Sequence, residues 1–122
     1  MSHRIALACA LAILVTVTSA AADVAGAWAL AMRFPNQNLT STGVCEIAQE
    51  GNTLSGWCGG PEGEDAFDVV GESGEGDAVG FRFIDADGFV RMEFSGEFGD
   101  GEIRGACRVT GGELCTFTAS RP

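Results

Sequence analysis

Turn signals punctuate this chain at short, even intervals, and that spacing leaves room for strands but not for helices. Gly51-Asn52, Gly59 to Gly63, Gly74-Glu75-Gly76, Asp87-Gly88, Asp100-Gly101 and Gly111-Gly112 all carry residues that accept the backbone angles of a tight turn. Between them apolar and polar residues alternate, the two-residue period of a strand with one buried face. Beyond residue 22 no stretch repeats with a helical period, so the sequence predicts an all-β domain.

The turns also fix a register. A two-residue loop at Asp87-Gly88 sets Phe83 against Met92 and Phe81 against Phe94, with Arg82 opposite Glu93 on the other face. A loop at Asp100-Gly101 sets Phe98 against Ile103, Gly96 against Gly105 and Phe94 against Cys107, with Glu97 and Glu93 opposite Arg104 and Arg108. Both assignments give one apolar face and one face of opposite charges, which a one-residue slip would scramble. A loop at Gly51-Asn52 pairs Gln49 with Leu54, Ile47 with Gly56, and Cys45 with Cys58. Counting outward makes that last pair a non-hydrogen-bonded one, where opposing Cα atoms come closest and a cross-strand disulfide fits. A three-residue loop, Thr110-Gly111-Gly112, brings Cys107 opposite Cys115, with Gly112 expected in the left-handed conformation. Four thiolates on zinc are the competing reading, but the sequence lacks the tight Cys-x-x-Cys knuckles of such sites.

The first 22 residues are of a different kind. Arg4 precedes an apolar run from Ile5 to Val17 that ends in Thr18-Ser19-Ala20-Ala21-Ala22, the pattern of an export signal cleaved before Asp23. The run falls short of the ~20 residues that a bilayer demands. The expected product is a periplasmic or secreted domain, residues 23–122, with no stable membrane insertion after cleavage. A domain of roughly 100 residues buries only about two-thirds of its unfolded surface, so two disulfides in an oxidising compartment are a meaningful staple.

Eight strands are predicted, near 25–34, 43–50, 53–58, 66–72, 78–85, 89–98, 102–109 and 113–120. Consecutive hairpins with one apolar face close most naturally into an eight-stranded antiparallel up-and-down barrel, which leaves no free edge; a two-sheet sandwich is the alternative. Alternating chain direction puts Trp28, Arg121 and the turns at Gly51-Asn52 and Asp100-Gly101 at one end. The long uncharged loop Pro35 to Gly43, the loop Gly59 to Asp65 and the Asp85 to Gly88 turn lie at the other. That second end is the candidate mouth: Phe34, Phe67, Phe83 and Val90 line it, Asn36, Gln37, Asn38 and Asp85 supply polar rim groups, and Gln49 lies deeper. The same Phe rings would equally fill a solid barrel.

Two short motifs resemble those of a known group. Gly26-Ala27-Trp28 resembles the Gly-x-Trp opening of calycin barrels, the lipocalin and avidin group, and Phe117-Thr118-Ala119-Ser120-Arg121 resembles their last strand. The resemblance implies that Arg121 packs over Trp28 and that Gly26, Trp28 and Arg121 shape a closed end while the opposite end admits a small ligand. Ala25 to Leu30, the early Cys pair and the basic terminal strand give a looser similarity to periplasmic metalloprotease-inhibitor barrels. That similarity implies an inhibitor of a hydrolase, of protease or lysozyme type, acting through its N-terminal arm or its loops.

Composition narrows the chemistry. The one His is His3, so the domain has no imidazole to act as a base, and neither Lys nor Tyr occurs anywhere. The sequence therefore argues for a non-catalytic protein with no catalytic residue, no metal and no cofactor. Setting Arg4 aside, six Arg stand against 17 Asp and Glu, a formal charge of −11 that repels phosphate backbones and excludes nucleic acid as a partner. Asp85-Ala86-Asp87-Gly88 shares part of a calcium loop but reads better as a hairpin turn. Asn38-Leu39-Thr40 matches a glycosylation acceptor. From Pro61 to Asp77 seven carboxylates occur with no basic residue, a solvated acidic wall. The expected partner is a small apolar or amphipathic ligand, or, on the alternative, a hydrolase.

Overall fold

The computed structural model describes residues 22–122, and the expected leader, apart from Ala22, lies outside the described residues. Eight antiparallel strands follow one another around a closed barrel in sequence order. They are β1 (Gly26–Phe34), β2 (Leu39–Glu50), β3 (Thr53–Gly59), β4 (Phe67–Ser73), β5 (Ala78–Ile84), β6 (Val90–Gly99), β7 (Glu102–Val109) and β8 (Leu114–Ser120). Closure comes from β8 pairing back onto β1, with Met32 opposite Phe117 and Leu30 opposite Ala119. Every strand is therefore hydrogen-bonded on both sides, and the edge problem of an open sheet disappears.

The inner pairs take the register that the turns dictate. Phe81 faces Phe94, Phe94 faces Cys107, Phe98 faces Ile103 and Gly96 faces Gly105. Cys45 faces Cys58 and Cys107 faces Cys115, and both pairs are disulfides, with Cα atoms 4.0 and 4.9 Å apart. Inside, Phe81 stacks on Phe94 at 4.5 Å between ring centroids, and Phe117 meets Phe94 edge-on at 5.1 Å. Phe117 reaches that position because Gly96 and Gly105 oppose each other: a Cβ on Gly96 would stand 3.1 Å from the Phe117 ring. The small pair on β6 and β7 is what lets an aromatic ring from β8 occupy the barrel axis.

Three local expectations are corrected. The segment Pro35 to Gly43 is not a loop: β2 begins at Leu39, which pairs with Phe34 across a 3-10 turn, Pro35–Gln37, and a left-handed Asn38 (φ 50°). Its Thr-Ser-Thr run is polar because the hairpin stands proud of the core, and β-branched Thr suits an extended backbone. The β5–β6 loop has three residues rather than two, closed by the Asp85 N–H donating to the Phe89 carbonyl. A register shift between Phe83 and Ile84 cancels the extra residue, so Phe83 still faces Met92. In the β7–β8 loop Gly111, not Gly112, takes the positive φ (74°). Gly112 N–H donates to the Val109 carbonyl, which makes Gly111 the third residue of the turn, where a type II turn requires that angle. The outer charges also face one another as the turns dictate, Arg82 opposite Glu93, Glu97 opposite Arg104 and Glu93 opposite Arg108, while the ion pairs that form are different ones: Arg82 reaches Glu72 at 3.3 Å and Arg104 reaches Glu102 on its own strand. Long exposed side chains choose among several neighbours at small energetic difference.

Candidate functional site

The two barrel ends are built differently. At the first, the segment preceding β1 folds inward, and Val24 is only 1 % exposed. Trp28, 2 % exposed, donates its indole N–H to the Val24 carbonyl at 2.9 Å and meets Phe98 edge-on. Arg121 lies over the indole, its guanidinium carbon 4.0 Å from the ring centroid. Its two terminal nitrogens donate to the carbonyls of Ala25, at 2.6 Å, and Asp23, at 3.2 Å. Gln49 completes this floor. Its Oε1 accepts the Val24 N–H at 2.8 Å, and its Nε2 donates to the Ala22 carbonyl at 2.9 Å and the Gly51 carbonyl at 3.0 Å. Gln49 points inward as the alternation requires, but at the closed end, far from the mouth residues with which the sequence groups it.

Above the floor the interior is almost solid. One apolar void of about 20 Å³ remains among Trp28, Leu54, Val79, Phe81 and Ile103, room for little more than one water and without a polar partner to hold it. Cys45 borders this void on its upper side, while Cys58 borders a second space on its lower side, so the Cys45–Cys58 bridge lies between the two.

That second space is a cleft of about 150 Å³ at the mouth. Leu30, Met32, Cys58, Phe67 and Phe83 form its apolar base. Phe67 and Phe83 stack at 5.5 Å with their planes 14° apart, presenting a continuous aromatic surface. Ser41, Thr42 and Gly43 of β2 form one wall, Gly59 and Gly60 the other, and Asp65 stands at the lip. The Gly59 wall is held by its own loop: Gly60 N–H donates to the Glu64 carbonyl at 2.7 Å and Gly63 N–H to the Gly60 carbonyl at 2.8 Å.

Of the residues that the sequence assigns to the mouth, only Phe67 and Phe83 line this cleft. Phe34 is buried under the β1–β2 tip. Asn36 is exposed, Gln37 donates to Glu113 and so ties that tip to the β7–β8 loop, and the Asn38 carboxamide accepts from Arg33 at 2.8 Å. Asp85 is committed to its own turn: Oδ1 accepts from the N–H groups of Asp87 and Phe89, and Oδ2 faces Arg91 at 3.5 Å. Val90 sits beside the register shift, opposite Ile84. The lining residues outside that assignment are Leu30, Met32, Ser41, Thr42, Gly43, Cys58, Gly59, Gly60 and Asp65. Extending the alternation through Leu39 to Gly43 would have placed Ser41 and Gly43 on the inner face; Asp65 sits in a loop and carries no periodic signal.

Among the described residues no group of three His, Cys, Asp or Glu side chains is placed to hold a metal ion. No protein-family model matches this sequence, and no curated protein matches it either.

Proposed function

We propose that this barrel is an exported, non-catalytic binding module that takes a small apolar or amphipathic group in its mouth cleft. One observation carries the reading: the floor is stoppered by Val24, Trp28 and Arg121 and the interior is filled, whereas the opposite end keeps an apolar, aromatic-based cleft of about 150 Å³. Concave apolar spaces with a few polar wall groups are where small ligands bind. An apolar cavity of about this size accepts a benzene-sized molecule, which sets the scale of the ligand. The Trp28–Arg121 stack supports a calycin-type relationship for the barrel, and the two disulfides together with the leader support a periplasmic or secreted location.

A hydrolase inhibitor is the second reading, and it rests on the loops rather than on the arm, because Val24 and its neighbours are spent in closing the floor. Its support is that Leu39, Phe89 and Leu114, 46, 66 and 63 % exposed, stand on three neighbouring tips at the mouth end.

Titration of the ¹⁵N-labelled domain with benzyl alcohol tests the ligand reading. Amide shifts are expected at Gly43, Gly59, Gly60 and Phe67, saturating with a Kd of about 1 mM for so few heavy atoms. An absence of shifts at these four residues, or shifts confined to Phe89 and Leu114, would count against it.

A further inference from the structure

We infer that the mouth cleft selects cations, so that its ligand is a small organic amine: an apolar body of about benzene size carrying one ammonium or amidinium group. The inference rests on the binding reading above and adds the sign of the charge. Every lining residue is neutral except Asp65, whose carboxylate side chain belongs to an exposed residue at the lip. A second carboxylate is close by. Glu64 folds back over the Gly60 wall, where a Cβ on Gly60 would collide with its carboxylate, and its Oε1 accepts the Glu62 N–H at 3.0 Å.

No lining residue opposes these charges. Two cations adjoin the base in sequence, Arg33 beside Met32 and Arg82 beside Phe83; Arg33 alternates to the outer face, where its guanidinium bonds Asn38 at 2.8 Å and Thr40 at 3.3 Å. Arg82 is drawn to Glu72, Arg91 to Asp85, Arg104 to Glu102, and Arg121 lies at the floor. Arg108 belongs to β7, which contributes nothing to the cleft. With 17 acidic residues in the domain, the surrounding field has the same sign as the lip. The stacked Phe67 and Phe83 rings add to the preference, because an aromatic face attracts positive charge. An amine can thus lay its apolar body on the rings and leave its charged head at Asp65, in water and beside a carboxylate. A carboxylic acid of the same shape would meet only repulsion there.

Asp65 offers a clean test because its backbone is left-handed (φ 54°), a conformation that Asn adopts as readily as Asp. Asp65→Asn therefore removes the charge and keeps the shape. Benzylamine, benzyl alcohol and benzoate are titrated into the wild-type domain and the variant, with amide shifts at Gly43, Gly59, Gly60 and Phe67 as the readout. In the wild type, benzylamine should bind about tenfold more tightly than benzyl alcohol, and benzoate should be the weakest of the three. In Asp65→Asn that preference, taken as the ratio of the amine and alcohol dissociation constants within the variant, should shrink to about twofold. Equal binding of amine and alcohol in the wild type, or an undiminished preference in the variant, overturns the charge selection and leaves the binding reading standing. Failure of all three probes to shift the cleft residues overturns both.

Discussion

Replacing Trp28 with alanine will cost the barrel about 4 kcal/mol, the scale of a large buried aromatic lost to a cavity. Most of a small domain's net stability is of that size, so the variant should unfold at markedly lower urea concentration, with an unchanged slope. The effect is large because Trp28 serves the floor in three ways at once. It fills the base of the interior against Phe98, it holds the Val24 carbonyl, and it is the surface on which Arg121 lies while bonding Asp23 and Ala25. Trp28→Phe separates these roles, since it keeps a ring but orphans the buried Val24 carbonyl, at a cost of about 1–2 kcal/mol. Circular dichroism in urea measures both variants; a loss below about 1 kcal/mol for Trp28→Ala would show that the floor is not a keystone of the fold.

Gly56→Ala is the second large effect, about 3 kcal/mol from one methyl group, combining backbone strain with overpacking. Gly56 lies mid-strand between Ile47 and Val69 with φ 147°, a region closed to residues with a side chain. Its Cβ would run into the Glu46 carbonyl oxygen and stand 3.1 Å from the Ile47 Cα, both of them backbone atoms that cannot swing aside. Gly51 provides the contrast: it also has positive φ (63°) but nothing lies within 4 Å of its would-be Cβ. Gly51→Asn should therefore cost below about 1 kcal/mol, since Asn tolerates the left-handed region. Thermal melts of the two variants compare them directly, and equal losses would contradict the packing argument.

The strand plan was legible in the residues because two independent signals agreed. Turn residues set the pairing partners, and the two-residue alternation set the faces, so Phe81, Phe94 and Phe117 fell inward and the cysteines fell opposite one another. Even the misjudged Asp87-Gly88 loop left the register intact, because the bulge at Phe83 and Ile84 absorbed the difference. What alternation cannot say is what an inward polar group bonds to. Gln49 has the right face, yet its partners are Ala22 and Val24, contributed by a segment some 25 positions earlier that the pattern treats as a tail. The same gap explains Asp85, whose carboxylate is consumed by amides two and four residues ahead, a local turn device rather than a rim group.

The cleft was less legible, and for a physical reason. Its walls come from a hairpin whose polarity hid its strand character and from a glycine-rich loop held by its own backbone hydrogen bonds. Asp65 stands at the lip in a left-handed backbone conformation (φ 54°), which no apolar pattern records.

Everything functional depends on the usable space lying at the mouth and not in the floor, and xenon titrated into the ¹⁵N-labelled domain reports that directly, since it enters apolar cavities of sufficient size. The structure predicts shifts centred on Met32, Gly43 and Phe67, beside the cleft of about 150 Å³, and none at Val24, Leu54 and Ile103, where only about 20 Å³ is free. Shifts at the floor residues, or a silent mouth, would contradict the account.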